Sequence, residues 1–212
     1  MRSTANPPRR GRPTKAEAAE RQAHLLDIAR SVFAELGYAA ASIELIASKA
    51  RVGKQTIYSR YGDKAGLFRT VVLNIRYLRL QIPDSGLFDD ALQSGLQQRL
   101  GNILQATLEP DYAALFRLFL REATAFPEVF EAFSQVSESH IERPLTHFLE
   151  GHIAQGMALK LPLKTCVDLL MAMLNSFISI TVLRGTPAIE EQIQAEAHAI
   201  TQLFLYGGVI AD

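Results

Sequence analysis

The chain has 212 residues, 48% of them apolar, with no tryptophan and a single cysteine, Cys166. So large an apolar share excludes disorder over most of the length, and one cysteine excludes an intrachain disulfide and fits a reducing, cytoplasmic setting. The formal net charge of zero hides an asymmetry: residues 1–80 hold fifteen Lys and Arg against six Asp and Glu, and residues 81–212 hold seven against sixteen. A net +9 end joined to a net −9 remainder points to a polyanion-binding unit attached to one that does not bind polyanions.

No apolar stretch near the N-terminus has the form of a secretory signal. The most apolar run, Leu169 to Leu183, is shorter than the ~20 residues a bilayer requires, so it is expected to be a buried helix, and no membrane partner is expected.

Residues 1–15, "MRSTANPPRRGRPTK", mix Pro, Gly and Arg without hydrophobic periodicity and are expected to form a flexible basic arm. Within it, Arg10 and Arg12 flank a glycine and precede Pro13. Such a run can enter the narrow minor groove of A·T tracts or give only nonspecific attraction.

From Ala16 the pattern is helical, with Leu25, Ile28, Ala29, Val32, Phe33 and Leu36 on one face. Gly37 is the expected left-handed C-cap. Ser42 is a good N-cap for a second helix carrying Ile43, Ile46, Ala47 and Ala50, with Glu44 favoured by the dipole in its first turn. After "RVG", a short helix is predicted over Lys54 to Tyr61, with Ile57 and Tyr61 inward. Asp63 caps a fourth helix bearing Leu67, Phe68 and Val71. Two short helices joined by a tight turn, the second of them basic, make a helix-turn-helix.

The outward side of that second helix is where the chemistry lies. An eight-residue helix is marginal by itself, so packing must hold it while Lys54, Gln55, Thr56, Ser59 and Arg60 point away. In the major groove, Gln55 can bond adenine bidentately, Thr56 can touch a thymine methyl or a polar edge, and Arg60 can take guanine or phosphate. Lys54, Tyr58 and Lys64 are placed to reach phosphates, and Ser42 offers phosphate a hydroxyl beside unpaired backbone N–H groups.

The stretch "SIELIASKARVGKQTIYSRYGDKAGLF" resembles the DNA-binding domain of TetR-family transcriptional regulators. The matches are Ser42, Ile46, Ala47, Ala50, Val52, Tyr58, Lys64 and Leu67, with Tyr61 where phenylalanine is usual. "FAELGY" upstream fits the end of the family's first helix. Two departures stand out: Arg51 occupies the usual turn glycine's place, and Gly53 that of a capping serine. The resemblance is specific over about residues 15–75 and architectural beyond. It implies an all-α homodimer that binds double-stranded operator DNA and is released, as repressors of this family are, by a small molecule. "FLREATAFPEVFEAF", Phe119 to Phe133, is similar to a subgroup often linked to efflux or stress operons.

The expected organisation is therefore a basic arm at 1–15, a helix-turn-helix domain at 16–75, and a helical ligand-binding and dimerisation domain at 76–212. Helices are predicted over 89–107, 111–125, 127–150, 163–184 and 189–206, with no sheet. Nine of the eleven phenylalanines lie beyond residue 80. Phe116, Phe119, Phe126, Phe130, Phe133, Phe148 and Phe177 are candidates to line a pocket with His140, His147 and Asn175, although most phenylalanines in such a domain serve as core. Few charges accompany them, which suits an apolar or aromatic effector.

Catalysis is the competing class, together with an all-α ligand carrier that binds no DNA. His140, His147 and His152 miss the i,i+4 spacing of a helical metal site, and "HFLE" reverses the Glu-x-x-His order of bundle di-iron sites. No metal, cofactor or catalytic residue is expected.

The dimer expectation rests on faces. In 163–184, one apolar stripe runs through Cys166, Leu169, Leu170, Met173, Phe177 and Ile180, and a second through Ala172, Ser176, Ser179 and Leu183. In 189–206, Ala195, Ala199 and Tyr206 lie off the main stripe. Two helices with more apolar surface than one subunit can cover predict a four-helix bundle across a two-fold axis.

Overall fold

The computed structural model describes residues 14–74, 91–207 and 210. Among the described residues ten α-helices follow one another: α1 (Lys15–Ala40), α2 (Ile43–Ala50), α3 (Lys54–Tyr61), α4 (Lys64–Leu73), α5 (Leu92–Leu108), α6 (Pro110–Glu122), α7 (Pro127–Ser137), α8 (Arg143–Ala154), α9 (Leu163–Arg184) and α10 (Glu190–Tyr206). No strand forms among the described residues; a lone antiparallel bridge pairs Leu159 with Ile210. The all-α class is as the sequence implies.

The first four helices close around Phe33, Ile46, Ile57, Leu67 and Phe68, all fully buried. Phe33, Tyr38 and Phe68 meet edge-on or stacked at 5.0–5.9 Å. A fully buried large apolar side chain contributes roughly 1.5–3 kcal/mol, and Ile57, fully buried, is the anchor that holds an eight-residue α3 that could not persist alone. Helix starts follow the expected chemistry. Thr14 and Glu17 form a capping box on α1, Ser42 Oγ accepts from Leu45 N at 3.1 Å, and Asp63 accepts from Gly66 N at 2.7 Å.

Three local features depart from the expectation. Gly37 is not a left-handed C-cap: its φ of 84° and ψ of 168° fall in a region open essentially to glycine, and a further turn, Tyr38 to Ala40, follows it. Arg51 itself takes the left-handed conformation (φ 55°, ψ 42°), so the turn keeps its geometry without glycine. The predicted helix over 127–150 is interrupted by a π-helical turn, Glu138–Glu142, before α8 runs on to Ala154. Pro144 has no N–H to return to the preceding turn, and the wider turn, with Arg143 N bonded to Glu138 O, accommodates it.

In the second half, α5 packs against α10 and α9, and α6 against α7 and α9. The halves meet where α1 lies on α6 and α4 on α7. By length and composition α9 could cross a membrane; here Val167, Leu170, Met171, Leu174, Ile178 and Val182 are buried against neighbouring helices.

Candidate nucleic-acid interface and effector cavity

α3 presents its polar side as expected. Ile57 is fully buried, Tyr61 packs partly against the core, and Lys54, Gln55, Thr56, Tyr58, Ser59 and Arg60 are exposed. The side chains of Gln55 and Thr56 make no hydrogen bond among the described residues, which leaves their donors and acceptors available for a base edge. Ser59 Oγ bonds back to Thr56 O at 3.2 Å, and Arg60 reaches Gln22 at 3.5 Å.

The lysines are more occupied than the sequence suggested. Lys54 Nζ sits 3.0 Å from Glu44, whose carboxyl that hydrogen bond holds below its usual range. Such an exposed pair is weak enough to be exchanged for a phosphate. Lys64 donates to Ala39 O at 3.2 Å and lies 4.4 Å over the Tyr38 ring; burial lowers its pKa, opposed by Glu128 and Glu122. Its ammonium is turned into the base of the head. Ser42, half-buried, already caps Leu45 N, yet its hydroxyl proton remains for a phosphate. Arg51, exposed in the turn before α3, is an additional cation that the resemblance passed over. Arg10 and Arg12 lie outside the described residues.

A cavity of about 310 Å³ opens between α5, α6, α7 and α9. Of the predicted pocket residues it brings together Phe116, Phe119, Phe133 and Asn175. Phe116 stacks on Phe119 with centroids 5.4 Å apart, and Phe119 meets Phe133 at 4.9 Å. The others do not line it. Phe130 stacks on Phe119 at 6.4 Å but is largely exposed, and Phe126 lies against Tyr38 at the seam with the head. Phe148 is buried beneath the Arg99 guanidinium and beside His152. His147 is exposed, Phe177 is half-buried, and His140 contacts Ser139 Oγ at 2.6 Å.

Sequence reading missed Tyr112, Leu120 and Ser134 as lining residues. The signal was present: 112, 116, 119 and 120 follow the i, i+4, i+7, i+8 spacing of one helical face. Tyr112 is almost wholly buried, which raises the pKa of its hydroxyl. Among the described residues, that hydroxyl and the Ser134 and Asn175 side chains make no hydrogen bond. No ionisable group other than Tyr112 lines the cavity.

The outer faces of α9 and α10 are apolar and uncovered. Leu183 is 69% exposed, Leu203 60% and Tyr206 70%, with Leu169, Ala172, Ser176, Ile180, Ala195 and Ala199 also exposed. This differs from the predicted stripes in two ways. Leu169 and Ile180, expected inward, join the outer face, and Ser179, assigned to that face, is half-buried and lines the cavity. Both follow from an inward stripe centred on Leu170, Leu174 and Ile178.

Among known proteins, residues 25–71 match the family described as bacterial regulatory proteins, tetR family. Residues 94–207 match the C-terminal domain of AefR-like transcriptional repressors. The HTH-type transcriptional regulator AcrR of Shigella flexneri is 28% identical over 151 residues, 66% of this chain and 69% of that protein. A TetR-family regulator from Mesorhizobium loti superposes with a TM-score of 0.74 at 22% identity, covering 93% of this chain and all of that one. The flavonoid-responsive regulator FrrA gives 0.70, also at 22% identity, over 89% of this chain and 97% of its own.

Proposed function

Because the chain belongs to the TetR family of DNA-binding transcriptional regulators, which are not enzymes, we propose that it acts in the cytoplasm as a homodimeric repressor. It binds a palindromic operator and is released by a small apolar or aromatic effector. The observation that carries this reading is the exposed polar face of α3, with Gln55 and Thr56 unbonded among the described residues, raised on a buried Ile57 anchor within a net-positive end of the chain.

Gln55, Thr56 and Arg60 read base edges. Ser42, Lys54, Tyr58 and Ser59 hold phosphates, while Lys64, turned into the base of the head, braces the turn before α2, and the arm with Arg10 and Arg12 adds electrostatic attraction. The boundary between the operator-reading and effector-binding domains lies near residue 75. Two chains pair through the outer faces of α9 and α10, with Ala172, Ser176, Leu183, Ala195, Ala199 and Tyr206 in the contact. Covering that apolar surface is the physical reason for the pairing.

The effector enters the cavity walled by Phe116, Phe119, Phe133 and Tyr112. Aromatic walls with only neutral polar groups favour a flat, uncharged molecule. By linkage, effector must weaken DNA by the factor with which DNA weakens effector.

Fluorescence anisotropy with DNA from the gene's own upstream region tests the reading, against random DNA and over a salt series. Operator binding that is two-fold symmetric and falls on adding hydroxylated flat aromatics is the expected result. Equal affinity for operator and random DNA would end the operator-specific repressor reading. Release by acyl-CoA thioesters but by no aromatic would overturn the effector class.

A further inference from the structure

Beside the ion pairs Arg30–Asp111 and Arg69–Glu131, a carboxylate cap ties the reading head to the end of the helix that walls the cavity. Gly37 breaks the run of α1, so the turn Tyr38 to Ala40 begins as a helix begins, with backbone N–H groups lacking a partner in the preceding turn. Within the described residues, both its first N–H groups go to a side chain far along the sequence. Glu122 Oε2 accepts from Tyr38 N at 2.8 Å and from Ala39 N at 3.1 Å. Its other oxygen accepts from Arg121 Nη2 at 2.7 Å and Nε at 3.1 Å. The Glu122 side chain is only 13% exposed.

Residue 37 answers to the same contact. A Cβ there would lie 2.3 Å from Glu122 Oε1 and 2.8 Å from Arg121 Nη2. Only glycine satisfies both the backbone angle and the approach of the pair. On the head side, the same turn is clamped by Lys64, which bonds Ala39 O and covers Tyr38, and it runs directly into Ser42, the cap of α2. On the body side, Glu122 ends α6, within one turn of Phe119 and Leu120 in the cavity wall.

We infer that Glu122 is a positioning residue for operator reading: a carboxylate delivered by the effector-binding helix caps the turn before the helix-turn-helix and so sets the head's angle on the body. The joint itself is independent of any effector. Its use as a release device rests on the proposed effector-controlled repressor. Lengthening these bonds by roughly an ångström takes them out of hydrogen-bond range, so a small shift of the last turn of α6 is enough to release this cap.

The test uses the full chain with Glu122→Ala and Glu122→Gln, and three measurements: amide hydrogen exchange, operator affinity and nonspecific DNA affinity. A charged hydrogen-bond acceptor lost from the part-buried Tyr38 N–H and the Ala39 N–H is expected to speed exchange at both by roughly tenfold or more in Glu122→Ala. Operator affinity should fall by about tenfold while random DNA, which needs no fixed angle between heads, changes by less than about twofold. Glu122→Gln retains an acceptor and should recover part of both, which separates capping from general loss of fold.

Unchanged exchange at Tyr38 and Ala39 would overturn the joint. So would equal loss on operator and random DNA, or a Gln variant no better than Ala. A wild-type chain without operator preference would instead sink the repressor reading, leaving the exchange measurement to decide the joint.

Discussion

The two halves of this chain meet their ligands in opposite ways. The head exposes a short polar face, Lys54 to Arg60, on one helix and buries Ile57, with Phe33, Ile46, Leu67 and Phe68, beneath it. The body turns aromatic side chains from two helices toward an interior cavity and leaves an apolar face uncovered outside. A surface that reads a long polyanion needs protruding, unspent hydrogen-bonding groups. A surface that holds a small molecule needs enclosure, which only several elements together provide. The head's task is therefore local in sequence, and the body's is distributed from Thr107 to Ser179.

On the proposed homodimer, the largest effect should come from breaking the pairing, because a palindromic site needs two heads and the outer faces of α9 and α10 are the proposed means of joining them. Leu203→Glu places a charge on the outer face of α10, away from the cavity. A buried unpaired charge costs about 3–5 kcal/mol, so association should weaken by at least ~100-fold. Light scattering should find helical monomers whose tight operator binding is lost. Ser179→Arg is the poorer choice, since Ser179 lines the cavity and a charge there would disturb both functions. A Leu203→Glu dimer with wild-type operator affinity would mean that the outer face serves some other purpose.

A second test keeps the pairing and alters only the reading. Gln55→Ala and Thr56→Ala remove groups that bond nothing else among the described residues, so they should cost about 1–3 kcal/mol against operator and little against random DNA. Circular dichroism should be unchanged. Equal losses on both kinds of DNA would place these residues outside the base-reading set.

The difference between the halves also explains what was legible in the sequence. Caps, turns and the reading helix are set by neighbours within four residues, so Ser42, Asp63 and the bounds of α3 could be read directly. The 22-residue span of α9 was equally plain, because its apolar run is bounded by Pro162 and Gly185. Which side of α9 faces inward was not. A helix apolar all round carries no periodic signal, and Leu169 and Ile180 could be placed only once Leu170, Leu174 and Ile178 were seen packed. Likewise, Phe148 and Phe116 have the same side chain, and only tertiary packing puts one under Arg99 and the other in the cavity wall. Glu122's capping role carried no local cue, since the backbone N–H groups it accepts from lie 83 and 84 residues away.

A third test addresses the seam between the halves through pH. Burial alone would raise the pKa of Glu122. Its hydrogen bonds from Arg121, Ala39 N and Tyr38 N, with the Arg121 charge, outweigh that and hold it below the ordinary carboxylate value. A carboxyl depressed in the folded state contributes stability that is present above its unfolded pKa and is lost as pH falls through the folded value. Urea midpoints of wild type should therefore fall more steeply below about pH 4.5 than those of Glu122→Gln, which has no such proton to bind. Parallel pH profiles would show that Glu122 ionises no differently when folded.

The smallest effect should appear at Arg51, where the head trades stability for charge. Arg51 is the one non-glycine residue with positive φ among those described, and its N–H bonds back to Ala47 and Ser48 close α2. Holding a side-chain-bearing residue in the left-handed region costs about 1 kcal/mol, part of which glycine returns through its greater freedom when unfolded. Arg51→Gly should therefore raise the melting temperature by about 2 °C or less. The side chain is exposed at the mouth of the reading helix, so its loss should also lower DNA affinity for every sequence and flatten the salt dependence by about one unit of slope. A variant both more stable and weaker on DNA would identify the arginine as a cation kept in a glycine's place for the sake of the phosphate backbone. A lower melting temperature would mean that the turn is unstrained, and an unchanged salt slope would remove Arg51 from the contact surface.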